Sequence, residues 1–432
     1  MSAAGQTTQG ITATQGFLYG LLGLPLAFVA LPLYVILPNH YAREFGVPLA
    51  TLGAVLLGAR LLDAVIDPLI GRFTDALFAK SVRAVLAWAA FAAVVLALGF
   101  AMLFFPLMRE PRALILWASV MLVATYAAYS ALSVAHQSWG AMLGGDEAQR
   151  SRIVSWREGL GLAGVLLASV LPSVVGLPVT TAVFFVALLC GWLAWSRAAH
   201  PVPQKARASF DLWLPFSRPA FRRLLAVFVL NGIASAVPAT LVLFFVQDRL
   251  QAPRSIEPAF LGSYFLCAAL SIPLWLLAVR RIGLARAWLC GMGLATAVFI
   301  WATQLGPGDT AAFIVVCALS GVALGTDLAL PGAMLAGVIA DAGDRGKAEG
   351  AYFGWWNFAT KINLALAAGL ALPLLGLFGY SPGARDPAAL QALAVAYCLL
   401  PCLLKVAAAA ALYFLIIKNN QGKTDVNESK AR

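Results

Sequence analysis

Apolar residues fill this chain in long runs, broken at nearly regular intervals by short polar stretches. Twelve runs are long enough to cross a bilayer as helices, each needing about 20 residues. They lie near 14–37, 48–70, 83–106, 113–136, 153–177, 179–197, 219–247, 258–280, 284–306, 310–339, 348–378 and 389–417. The tightest junction is near 177, where Gly176 and Pro178 leave little room for a loop. The pattern predicts an all-α membrane protein of twelve transmembrane helices. One long polar stretch, Arg197 to Arg223, is basic and rich in proline (Pro201, Pro203, Pro215, Pro219) and divides the spans six and six. Six plus six predicts two pseudo-symmetric six-helix bundles with a site between them near the midplane. The expected divisions are a first bundle over 1–197, a linker over 198–218, a second bundle over 219–418 and a disordered tail over 419–432.

Composition narrows the class. With 61% hydrophobic and 11% charged residues, an ordinary soluble domain is excluded. The stretch Met1 to Gln15 is polar and uncharged, without the basic start of a cleaved signal peptide. A net charge of +11 invites a nucleic-acid reading, but its placement speaks of topology. Twenty of the thirty Lys and Arg residues fall in the even-numbered loops and the tail, and six in the odd-numbered loops. The positive-inside rule then predicts an inner-membrane protein with both termini cytoplasmic and no nucleic-acid partner. Its basic surface meets membrane lipids. The six cysteines all fall inside spans without metal-ligand spacing and read as packing residues. No P-loop, G-x-S-x-G or H-E-x-x-H occurs in a credible context, so neither an enzyme nor a cofactor is expected.

The second span breaks the apolar rule. Arg60, Asp63 and Asp67 sit at i, i+3 and i+7, which a helix places on one face. Each charge in a membrane helix costs at least about 2.5 kcal/mol, so three together point to a water-filled cavity and ion handling. Two carboxylates a turn apart can hold a hard cation such as Na⁺ or share a proton. Ser130 and Ser133 in span 4 are candidates to complete such a site. The alternative is a static brace in which Arg60 and a lysine permanently neutralise both acids.

Other polar residues at membrane depth carry two readings each. Lys361 in span 11 either faces the Asp63/Asp67 pair or pairs with Asp327 in span 10, for which Lys405 competes. His136 is a proton relay or a hydrogen-bonded packing histidine. Arg157 with Glu158 is a gate ion pair or a helix-end bridge, and Asp75 with Arg72 reads as a latch. Tyr352, Trp355 and Trp356 could stack on a sugar-like ring or serve the core. Asn231-Gly232 with Pro238 makes span 7 a gating helix or a merely kinked one.

These residues resemble a known family. Arg60-x-x-Asp63-Ala64-x-x-Asp67-Pro68-x-x-Gly71-x-x-x-Asp75 is similar to the span-2 signature of the glycoside–pentoside–hexuronide:cation symporters. They are the melibiose-permease-like branch of the major facilitator superfamily. Further matches are Glu349 to Lys361, ending in Leu377-Phe378-Gly379-Tyr380, and Arg150-Ser151-Arg152-Ile153 with Trp156-Arg157. The resemblance implies the major facilitator fold, with Asp63 and Asp67 as cation-site carboxylates, Lys361 as the span-11 lysine and Arg157 as the span-5 arginine. Where this family places sugar-binding acids, the chain has Ala27 and Ser133. Gln137 stands in place of the stacking aromatic, with Trp139 close by. The stretch Asp341 to Lys347 is also shorter than usual.

The expected function is therefore a secondary active symporter of a small organic solute, a sugar or glycoside being one candidate, coupled to H⁺ or Na⁺. With the span-4 acid absent, H⁺ is slightly favoured. The substrate candidates are Ala27, Gln137, Trp139, Asn231, Tyr352, Trp355 and Trp356. A lipid or lysolipid carrier on the same fold is the rival within transport. A non-transporting sensor or assembly factor is the rival from another class. A monomer is expected by resemblance.

Overall fold

The computed structural model describes residues 11–201, 211–377, 379–381 and 383–419. Residues 202–210 of the expected linker and nearly all of the tail lie outside these residues. Among the described residues the regular structure is helical, without strands. α1 runs in pieces, Ala13–Gly20 and Gly23–Leu31, then a π turn at Pro32–Ile36 and Leu37–Glu44. α2 is Leu49–Lys80, α3 Val82–Phe104, α4 Pro111–Leu143, α5 Glu147–Pro172 and α6 Val174–Ser196. α7 is Pro219–Arg249, α8 Glu257–Ile282, α9 Leu284–Ala302, α10 Thr310–Asp341, α11 Glu349–Leu377 and α12 Pro387–Ile417.

Ten of these twelve are long and apolar enough to cross a membrane. The other two, α2 and α11, have 32 and 29 residues and carry the charges singled out above. Helix starts follow local chemistry. Ser81 caps α3 by accepting from the Ala84 N–H, and Glu110 before Pro111 caps α4. Asp146 caps α5, and Asp386 before Pro387 caps α12. Near the expected tight junction, Gly176 lies at the start of α6, where its φ of +78° breaks the helical run.

Two compact units result. The first holds 1–210 with 336–354, and the second holds 211–335 with 355–432. In the first, α1 and α5 meet backbone to backbone. A Cβ at Gly20, Gly23 or Gly164 would lie 2.6, 2.5 or 2.1 Å from the carbonyl oxygen of Trp156, Arg157 or Leu24. In lipid there is no hydrophobic drive between helices, so glycines that permit close approach take its place. The second unit also packs rings, with Phe245 of α7 stacked on Tyr397 of α12 at 4.3 Å. Both rings sit in π turns, Phe245–Arg249 and Val395–Leu399.

The segment 336–354 joins the first unit through complementary helix ends. Arg345 donates twice to the Met142 carbonyl near the C-terminus of α4, at 3.2 and 2.9 Å. Asp75 accepts from the Gly350 and Ala351 N–H groups at the N-terminus of α11, at 2.6 and 2.9 Å. Each side chain sits where the helix macrodipole favours its sign. The compact units differ at this one segment from a division drawn by spans alone.

Candidate functional site

α2 builds the first site. Pro68 lies inside the helix and cannot donate to the Ala64 carbonyl, so the backbone is loosened next to Asp67. Gly354 presses against this point, where a Cβ would meet the Asp67 carbonyl oxygen at 2.7 Å. Asp63 is 5% exposed and Asp67 fully buried. Ser130 of α4 donates to Asp63 Oδ1 at 2.8 Å. The other serine candidate, Ser133, instead accepts from Gln137 Nε2 at 3.0 Å. Chemically, this is a pair of buried carboxylates one turn apart with a hydroxyl on one of them. Arg60, Asp63, Asp67, Ser130 and Lys361 all take part in further interactions.

Asp75 lies past the apolar stretch of α2, with Arg72 3.8 Å away. Burial, with the Glu349 charge second, holds its carboxyl well above the usual range. The Gly350 and Ala351 N–H groups and Arg72 pull it back. The expected latch residue thus binds a helix end as well as its arginine. Glu349 accepts from the Gly346 N–H at 2.6 Å, and Tyr352 donates to Asp344 at 2.7 Å.

The second unit holds a different buried acid. Asp327 Oδ1 accepts from Asn231 and Trp288, at 3.0 and 2.8 Å. Its Oδ2 accepts from Ser235 and Lys405, at 3.2 and 2.7 Å. Lys405 also donates to Asn231 Oδ1 and Ser235 Oγ, at 2.8 and 3.1 Å. The competition for Asp327 therefore resolves with Lys405 as its cation. Gly232, beside Asn231, faces the Asn363 amide, where a Cβ would lie 2.0 Å from Nδ2. Trp288 and Ser235 escaped the sequence reading; a tryptophan and a serine in apolar helices give no pattern that separates them from packing.

Several sequence candidates turn out to be committed elsewhere. Trp139 is fully buried and donates to the Ala199 carbonyl at 2.9 Å, with its ring against Trp195. That removes it from any substrate-lining role. Tyr352 is fully buried on Asp344. Trp355 donates to the Leu212 carbonyl at 2.9 Å, and Trp356 stacks on Phe228 at 3.7 Å. Asn231 is 3% exposed and bonded on both amide atoms, a member of the ion-pair cluster rather than an open ligand. Ala27 lies on the seam between α1 and α5, and a Cβ at Gly161 would sit 3.4 Å from its own.

His136 follows the packing reading. Its Nε2–H donates to the Tyr19 carbonyl at 2.8 Å, and the Tyr19 hydroxyl donates back to the His136 carbonyl at 3.0 Å. Arg157 is bound by the adjacent Glu158, with Nε donating to Oε1 at 2.9 Å. A staple that sequence analysis left without a role ties the end of α7 to the loop before α12. There Asp248 accepts from the Tyr380 hydroxyl at 2.5 Å and the Gly383 N–H at 2.9 Å.

Twelve membrane-length helices with charged side chains at depth define a multi-pass membrane protein of the transporter kind. Residues 17–419 match the MFS/sugar transport protein family model, and the chain belongs to that family. No curated protein matches it. Among solved structures, a bacterial homologue of the iron transporter ferroportin in an outward-facing state is similar at TM-score 0.68 and 17% identity. That match covers 93% of this chain and 100% of the other. The Escherichia coli fucose:proton symporter FucP follows at 0.67 and 14%, covering 93% and 98%. The human organic anion transporter MFSD10 (TETRAN) is similar at 0.61 and 18%, covering 91% and 98%. At these identities the likeness is one of fold.

Proposed function

We propose that the protein is a cation-coupled secondary transporter of a small organic solute, working by alternating access in the inner membrane with cytoplasmic termini. The observation that carries this reading is the Asp63/Asp67 pair, buried a turn apart with Ser130 on Asp63. Two carboxylates a turn apart on one helix face can take up a cation or proton in exchange for their other partners. A cation that binds one conformation better than the other shifts the population toward it. H⁺ is the favoured ion, because the hydrogen-bonded ligand from α4 is a neutral hydroxyl. Na⁺ is the alternative.

A second reading within transport has its own support. The aromatics that sequence offered for sugar stacking are all engaged in packing or hydrogen bonds. The position of the family's span-1 acid is Ala27, packed toward Gly161. An amphipathic substrate, such as a lysolipid, suits these features better than a galactoside.

The test is charge movement in proteoliposomes on Na⁺ and pH jumps, with sugars, uronides and lysolipids supplied in turn. Wild type should give a substrate-dependent current that Asp67→Asn abolishes. An Asp67→Asn protein that transports with unchanged ion dependence refutes the site. Silence of the folded wild type across the panel favours the sensor or assembly-factor alternative.

A further inference from the structure

The segment before α7 has a fold that the transport reading does not use. Asp211 accepts from the Trp213 N–H at 2.8 Å and turns the chain into a single helical turn, Leu214–Ser217. Pro215 points inward and is buried, and Phe216 packs on Phe221. Trp213 points outward and is 60% exposed. An indole is amphipathic, and tryptophan concentrates at the membrane–water interface.

Arginines lie on the same rim of the unit. Arg222 and Arg223 lie in the first turns of α7 and are exposed. Antiparallel topology brings the end of α8 and the start of α9 to that rim, with exposed Arg280, Arg281 and Arg286. Over 211–223 and 280–286 there is one acid, Asp211, and it is engaged in the turn. A basic rim with an outward indole at the ends of membrane-length helices fits a surface of phosphate headgroups.

The same segment is tied to α11. Trp355 donates to the Leu212 carbonyl at 2.9 Å, and its ring lies 4.9 Å from both Trp213 and Phe216. Whatever holds Trp213 therefore bears on the stretch of α11 that carries Lys361.

We propose that Trp213 with Arg222, Arg223, Arg280, Arg281 and Arg286 forms a docking surface for anionic phospholipid headgroups. Through Trp355, occupancy of this surface biases α11. The first part stands on the surface alone, and the second rests on the transport reading.

The test uses the full chain in nanodiscs of phosphatidylcholine, alone or mixed equally with phosphatidylglycerol. Native mass spectrometry reads the lipid retained, and thermal unfolding reads the midpoint. Phosphatidylglycerol should be retained and should raise the midpoint, and both effects should fade as salt is raised. Arg222→Gln/Arg223→Gln should lower retention about fivefold per arginine. Arg109→Gln/Arg112→Gln, which removes equal charge from an odd-numbered loop, should leave retention unchanged. Equal midpoints in phosphatidylcholine alone certify that the variants fold. No phosphatidylglycerol effect in wild type, or equal retention in both variants, overturns the docking surface.

These readouts need neither substrate nor ion gradient, so they stand apart from any failure of the transport reading. Where uptake is measurable, phosphatidylglycerol should change its rate in wild type and not in Trp213→Ala. Retention without any change in uptake overturns the coupling through Trp355.

Discussion

Each unit buries carboxylate at membrane depth, but the two surroundings differ. In the second unit, Asp327 takes four donors from three helices, one of them the ammonium of Lys405. In the first, Asp63 and Asp67 share one face of α2, and the donor bonded to Asp63 from α4 is the neutral Ser130 hydroxyl. A carboxylate given a tethered cation and a full set of donors is a fixture. Two carboxylates a turn apart with a hydroxyl beside them suit an ion that comes and goes. Asp327 with Lys405 has the geometry of a brace, while Asp63 and Asp67, which take part in further interactions, are the pair to which the proposed transport reading gives the exchangeable ion.

The largest effect should come from splitting the fixture. Lys405→Met leaves the Asp327 charge without its tethered cation and should cost about 3–5 kcal/mol. The double variant Asp327→Asn/Lys405→Met should recover most of that loss in thermal unfolding. A double variant as unstable as the single would show that the pair is not a self-contained neutral unit.

An intermediate effect belongs to Asp75, where peptide N–H groups stand in for a cation. Asp75→Asn sets an amide N–H₂ against one of the two α11 donors and should cost about 2 kcal/mol. Its carboxyl is held above the ordinary value, so its protonated form is the one favoured by folding. That contribution is full below the unfolded pKa of about 3.9 and is lost as pH rises through the folded value. The pH dependence of the unfolding midpoint should therefore be flatter in Asp75→Asn than in wild type. Parallel curves would contradict this.

The smallest stability effect should be at the proposed cation site. Interhelical hydrogen bonds in membranes average about 0.6 kcal/mol, and Ser130→Ala should lose about that much. Its signature should lie in function, as a raised half-saturating cation concentration for uptake. A large loss of stability with unchanged ion dependence would make Ser130 a brace like Lys405.

Much of the fold was legible along the chain. Twelve apolar runs became twelve helices, because a lipid-crossing backbone has to satisfy its own hydrogen bonds. The junction near 177 was readable from Gly176 and Pro178. The charged face of α2 was also readable, since residues at i, i+3 and i+7 meet on a helix whatever surrounds it. Trp139 and the pair Trp355/Trp356 were not. A tryptophan in an apolar run looks the same whether it lines a cavity or fills a core.

Sequence by itself determined where helices run and which of them carry charge, because both follow from periodicity and composition within a few turns. Tertiary structure alone decided which partners meet. Lys405 reaches Asp327 across 78 positions and Asp75 reaches Gly350 across 275. The same holds for Ser130 over Ser133 on Asp63, and for 336–354 packing with the first unit. Such choices depend on helix rotation and crossing, set by glycine seams and ring stacks far apart in the chain, to which no local pattern is bound.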